Sequence, residues 1–170
     1  KYHMDKEFEK IYHEIESSHF WHVTSRELIL FFVKKYISTE KLILDIGCSS
    51  GDLLIKLKDN HYSNLYGIDS SKNAINNCKE KNLNDVQIMN ASKLEFPDNH
   101  FDCIIASNII EHIEDDNSTI IEWHKKLKPN GILIIMVPAF SWLWSTHDEK
   151  NHHFRRYSKK IFLHLLHNFN

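Results

Sequence analysis

The run Leu42-Ile43-Leu44-Asp45-Ile46-Gly47-Cys48-Ser49-Ser50-Gly51-Asp52 constrains this chain more than any other stretch. An apolar run leads in, a glycine turn follows, and the helix-forming run Leu53-Leu54-Ile55-Lys56-Leu57-Lys58 leads out. A strand, a tight turn and a helix in that order make half of a βαβ unit. A glycine turn lets a ligand approach the backbone, because no side chain stands in the way. The unpaired N–H groups at the start of the following helix point toward the same spot.

The pattern then repeats. Apolar strand-length runs at Lys41–Ile46, Leu65–Asp69, Val86–Asn90, Phe101–Ser107 and Ile132–Val137 alternate with helical stretches at about 52–58, 72–81, 117–127 and 159–167. Cys103-Ile104-Ile105-Ala106 is continuous, as expected of a strand covered on both faces. Lys128-Pro129-Asn130-Gly131 reads as a turn, and Ser70 or Ser71 and Ser158 read as helix caps. This alternation predicts an α/β fold, a Rossmann-like doubly wound parallel sheet with helices on both faces. Two helices precede the sheet. One carries Phe8, Ile11, Tyr12 and Ile15, and the other starts at Thr24 or Ser25 and carries Leu28, Ile29, Phe32, Val33 and Tyr36. The aromatic cluster His19-Phe20-Trp21-His22 is placed in the connector between them. The expected organisation is a helical cap over 1–40 and a ligand-binding domain over 41–170.

Composition narrows the function. A length of 170 residues suits one domain, and a net charge of −2 gives no general drive toward nucleic acid or anionic lipid. Cys48, Cys78 and Cys103 are odd in number and widely spaced, which fits a reducing, cytoplasmic setting better than a disulfide framework. No apolar run approaches the length of a membrane span. His147, His152 and His153 match no zinc spacing, so no metal is expected.

Asp45 ends the first strand and Asp69 the second. A carboxylate at the second position commonly accepts a pair of hydrogen bonds from ribose hydroxyls. The alternative is that Asp69 only caps the helix after it. Three readings compete for the turn itself. A dinucleotide site wants G-x-G-x-x-G, but Ser49 and Asp52 stand where two of the glycines belong, and Asp52 would face a pyrophosphate. A nucleophile elbow is matched literally by Gly47-Cys48-Ser49-Ser50-Gly51, with Asp102 or Asp148 and His147 or His152 as partners to Ser49. That elbow normally follows several strands, whereas only helical sequence precedes this one. An S-adenosylmethionine site accounts for Asp45, Gly47, Gly51 and Asp69 together, because a carboxylate before the turn suits a cationic ligand that lacks phosphates.

The ordered motifs Leu44–Gly51, Leu65–Ser71, Asn90-Ala91 with Leu94–Pro97, Phe101–Ile104, Ser107–Ile113 and Leu127–Gly131 resemble those of the class I S-adenosylmethionine-dependent methyltransferases of the small-molecule type. The resemblance covers about 42–138. It implies that Asp45, Gly47, Cys48 and Gly51 hold the methionine moiety and that Asp69, with Ser70 beside it, binds the ribose. It implies further that Asn90 and Ala91 lie along the adenine edge, that Ser107 and Asn108 close over the methionine side, and that Arg26 reaches the cofactor carboxylate. This chain has Ser49 where the family usually has glycine, and Asn90 where it usually has aspartate. Downstream, Val137-Pro138-Ala139, Trp142-Leu143-Trp144, His147-Asp148-Glu149 and His153-Phe154-Arg155-Arg156-Tyr157-Ser158 resemble one subgroup. A loop there leaves the ligand-binding end of the sheet, so Trp142, Trp144, His147, Arg155, Arg156 and Tyr157 are expected to wall a substrate site. His112 is the candidate general base, needed only for a poorly nucleophilic acceptor.

The expected activity is methyl transfer from S-adenosylmethionine, leaving S-adenosylhomocysteine, to a small molecule whose accepting atom is not legible. A domain that binds cofactor or partner without turnover is the alternative, and a Ser49 hydrolase the third reading. The family's sheet usually has seven strands. Five are counted here, so the chain is expected to be part of a longer protein, or to have its fifth strand paired at the sheet edge by a partner.

Overall fold

A computed structural model describes residues 19–167. The proposed first helix, with Phe8 and Ile15, lies outside the described residues. The chain runs α1 (Phe20–Tyr36), β1 (Ile43–Ile46), α2 (Asp52–Asp59), β2 (Leu65–Asp69), α3 (Lys72–Glu80), β3 (Val86–Ile88) and β4 (Phe101–Ser107). A 3-10 turn at Ile110–His112 leads to α4 (Asp116–Lys126) and β5 (Leu127–Met136). A second 3-10 turn at Ser141–Leu143, α5 (Thr146–Lys150) and α6 (Lys159–Leu166) follow.

The five strands form a parallel sheet of order β3-β2-β1-β4-β5. Strand order reverses beside β1, so the crevice at the carboxyl ends of β1 and β4 is the natural place for a ligand. The strands read as apolar runs because both faces are covered. On one face Leu44, Ile46, Ile104 and Ala106 pack with Trp123 of α4 and Leu165 of α6. On the other, Ile43, Cys103 and Ile105 pack with Ile29 and Val33 of α1 and with Leu53 and Leu57 of α2. The alternation of side chains along β1 and β4 sends neighbouring residues to these two cores.

Four local expectations are corrected. Helix α1 begins at Phe20, with His19 as its N-cap, so the aromatic cluster is its first turn rather than a connector, and Thr24 and Ser25 lie inside it. Its buried stripe is Ser25, Ile29, Leu30 and Val33, spaced to face the sheet, while Leu28, Phe32 and Tyr36 are exposed. Strand β3 ends at Ile88, two residues early. Residues 128–131 belong to β5 and not to a separate turn: Leu127 pairs with Phe101 and Ile132 with Cys103, so the intervening residues are absorbed as an irregularity. Ser71 and Ser158 cap α3 and α6 as expected.

Candidate functional site

An open cleft of about 1780 Å³ occupies the crevice at the carboxyl end of the sheet. Its floor is the β1–α2 turn. Gly47 and Gly51 adopt left-handed φ values of 72° and 83°. A Cβ on Gly47 would lie 2.0 Å from Ile109 Cδ1, and one on Gly51 would lie 2.4 Å from Leu83 Cδ1. Both positions therefore demand glycine on conformation and on space. Ser49 is also left-handed, at 48°, which is the physical reason a glycine suits that place.

Backbone hydrogen bonds hold the turn. The Gly47 and Cys48 N–H groups donate to the Ile68 carbonyl at 2.8 and 2.9 Å, and Ser49 N–H donates to Asp69 Oδ2 at 3.0 Å. Asp69 Oδ1 accepts from Ser71 N–H at 2.8 Å. Asp69 thus ties the β1 turn to the α3 start while lining the cleft. Asp45 is buried in the cleft floor. Cys48 is buried under the turn, and its hydrogen bond with Cys78 together with burial holds its thiol protonated. Arg26 of α1 reaches over α2, with Nη1 3.8 Å from Asp52 Oδ2. Lys81 meets the other oxygen of Asp52 at 2.8 Å.

Ser70, Asn90, Ala91, Ser107, Asn108 and His112 line the cleft with Asp45, Gly47, Cys48 and Ser49, whereas Gly51, expected to hold the cofactor, lies off the lining and faces Leu83 and Cys78. Asn90 Oδ1 accepts from Ser92 N–H, shaping the turn after β3. The Ala91 carbonyl accepts from the buried Trp123 indole at 2.8 Å, which pins that turn to the core. Asn108 is left-handed, at 53°, and donates from Nδ2 to Ser107 Oγ.

The expected substrate wall is only partly there. Trp144 lines the cleft, but Trp142 does not and is 77% exposed. His147 is exposed on α5 and off the cleft. Arg155, Arg156 and Tyr157 are structural in their placement. Arg155 pairs with Asp116 and donates to the Glu114 carbonyl. Tyr157 is 2% exposed and donates to Asp116 Oδ2. Arg156 grips Asp148 with Nε at 2.7 Å and Nη2 at 2.9 Å. Burial pushes the Asp148 carboxyl up, but Arg156, His153 and the Ser145 N–H outweigh it and hold it well below the usual carboxylate range. Nor does the arrangement build the hydrolase triad: Asp102 sits at the opposite end of the sheet with Lys41, Lys128 and Leu42 N–H, and Asp148 is committed to Arg156 and His153.

Sequence reasoning missed the groups that do wall the cleft beside His112. His22 and Ser25 face it from α1, and His152, His153 and Phe154 from the loop after α5. Glu111 is buried next to His112. Burial raises its carboxyl to about 7 and, with His153 nearby, lowers the His112 imidazole to about 4. The adjacent pair Glu111-His112 at the end of a strand was the available signal.

The sequence profile of the family described as Methyltransferase domain matches residues 44–135. Over 98 residues the chain is 32% identical to phosphoethanolamine N-methyltransferase 3 of Arabidopsis thaliana, covering 55% of this chain and 20% of that protein. It is 30% identical over 104 residues to demethylmenaquinone methyltransferase of Geobacillus stearothermophilus, covering 56% of this chain and 44% of that one. The chain spans less than half the length of these curated relatives. Phosphoethanolamine N-methyltransferase 2 of Haemonchus contortus, solved in complex with S-adenosyl-L-methionine, shares the fold with a TM-score of 0.72 at 21% identity, over 83% of this chain and 36% of that one.

Proposed function

Because this chain belongs to the methyltransferase domain family, we propose that it binds S-adenosylmethionine in the cleft and transfers the methyl group to a small-molecule acceptor. The observation that carries the reading is the β1–α2 turn. Two left-handed glycines, whose added Cβ atoms would collide with Ile109 and Leu83, shape the turn, and the buried Asp45 and the Asp69 carboxylate both line the cleft beside it. A cationic ligand without phosphates fits between two carboxylates, where a pyrophosphate would be repelled.

When bound, the cofactor supplies an activated methyl group and its own leaving group. The chain's residues then bind and orient. Asp45 faces the ammonium group, Asp69 accepts from ribose hydroxyls, and Arg26 stands where a carboxylate can pair with it. Asn90 and Ala91 border the adenine, and Ser107 and Asn108 border the methionine side. His112 lines the acceptor side of the cleft, and its lowered basicity keeps the imidazole neutral and able to accept a proton at neutral pH. The open cleft and the exposed Trp142 and Trp144 favour turnover over a closed, cofactor-only domain. The half-exposed row Ile132–Met136 on the outer strand β5 supports pairing of that edge with a partner strand.

The test is calorimetric titration with S-adenosylmethionine and, separately, NAD, on wild type and Asp69→Ala. Saturable binding of the first alone, weakened at least tenfold in the variant, is expected. Binding of NAD instead, or equal binding by the variant, overturns the reading.

A further inference from the structure

His112 and His153 meet edge to face with ring centroids 4.6 Å apart, and Glu111 closes the group. One ligand atom from each of the three lies within 4.8 Å of the others. Three features of this cluster go together. Glu111 is 1% exposed, yet its Oε2 has no hydrogen-bond partner. A buried carboxylate oxygen without a donor is costly, so the site is incomplete as it stands. His153 Nδ1 lies 2.9 Å from Asp148 Oδ1, and Asp148 is itself fixed by Arg156 and Ser145 N–H. That carboxylate keeps the proton on Nδ1 and leaves the Nε2 lone pair bare. The His112 ring is likewise hydrogen-bonded to the Asn151 backbone. A second acceptor holding each imidazole is the arrangement that orients histidines as metal ligands.

We propose that Glu111, His112 and His153 form a binding site for a divalent transition cation of the zinc type. Two imidazoles and one carboxylate suit such a cation in charge and softness. The cation gives the stranded Glu111 oxygen its missing partner. Three protein ligands leave a coordination position open, and both imidazoles line the cleft, so that position faces it. The chain brings the ligands together from two places: Glu111 and His112 from the 3-10 turn after β4, and His153 from the loop after α5. The Phe154 N–H to Glu111 carbonyl bond at 2.8 Å locks these two segments in register. The site leaves the cofactor reading untouched, since none of its ligands is assigned to S-adenosylmethionine; with a cation bound, His112 serves as its ligand and not as a proton acceptor.

The test uses the whole chain, stripped with a chelator and titrated with Zn²⁺ by calorimetry and with Co²⁺ by visible absorption. The variants are Glu111→Gln, which keeps the shape and removes the charge, and His153→Ala. Circular dichroism of each without metal checks folding. The expected result is one equivalent bound, at least tenfold weaker in Glu111→Gln and at least a hundredfold weaker in His153→Ala, with a Co²⁺ d–d band that both variants lose. Absence of binding, or variants that bind as well as wild type, overturns the site and assigns any bound metal to other histidines. Should a variant fail to fold, X-ray absorption at the zinc edge of the wild type decides: two imidazole nitrogens with oxygen support the site, and a shell holding sulfur or fewer than two imidazoles overturns it. Because no arm of the experiment contains S-adenosylmethionine, its failure is separable from failure of the proposed function.

Discussion

The β1–α2 turn and the loop after β5 both border the cleft from the carboxyl end of the sheet, but they are held by different forces. The turn is a backbone structure: left-handed residues at 47, 49 and 51, amides on the Ile68 carbonyl, and one carboxylate, Asp69, accepting from peptide N–H groups. The loop is a charge structure: Asp148, with 0% exposure, sits at its centre and collects Arg156, His153 and Ser145. Its backbone adds the Ala139–Tyr157 bridge and a left-handed Phe140. Backbone geometry is written within a few residues, whereas a buried ion pair means something only once the fold has excluded water from it.

The largest expected effect breaks the charge side. Arg156→Leu removes the cation beside the buried Asp148 carboxylate and leaves it only His153 and Ser145, and loss of one partner of a buried pair costs about 3–5 kcal/mol. Urea unfolding should show it, and a loss below about 1 kcal/mol would mean the loop is held by its backbone after all. On the backbone side, Gly47→Ala places a Cβ against Ile109 in a left-handed conformation, for about 2 kcal/mol. The same substitution should weaken S-adenosylmethionine binding at least tenfold, while Arg156→Leu, if folded, should leave that binding closer to wild type. Ser71→Ala sharpens the contrast. It removes the Ser71 Oγ cap on Ala74 N–H while keeping the Ser71 N–H bond to Asp69, for about 1 kcal/mol.

The smallest effect lies far from both loops. Burial pushes the Asp102 carboxyl up, but Lys128, Leu42 N–H and Lys41 outweigh this and hold it below its ordinary 3.8. A depressed folded value contributes stability that is present above 3.8 and is lost as pH falls below it. Acid titration of stability should therefore be flatter below that pH in Asp102→Asn than in wild type, with neither loop affected.

The same contrast explains what was legible in the sequence. Strands β1, β2 and β4 are apolar runs because parallel strands are covered twice, and their glycines and end carboxylates are local marks. So the turn and the position of Asp69 could be read ahead of the structure, while the sequence places Asn90 and Ala91 only through the family resemblance. The segment Arg155-Arg156-Tyr157 reads in the sequence as a substrate wall, and the structure commits it instead to Asp116 and Asp148. Free arginines and arginines holding Asp116 or Asp148 are spelled the same way. The start of α1 was hidden because an aromatic run with a histidine cap resembles a connector, and the β5 irregularity because Pro129 and Gly131 are ordinary turn residues. Glu111 was quoted within a motif without a role, since its isolation from donors exists only in three dimensions.

The Trp123–Ala91 bond has a practical consequence. Of the four tryptophans, Trp21, Trp142 and Trp144 are exposed, and Trp123 alone is fully enclosed. Its emission is expected to be the blue, quencher-resistant part of the fluorescence, and its indole is anchored on the carbonyl of Ala91, which lines the cleft. The fold thus carries its own optical gauge, one hydrogen bond away from the cleft wall.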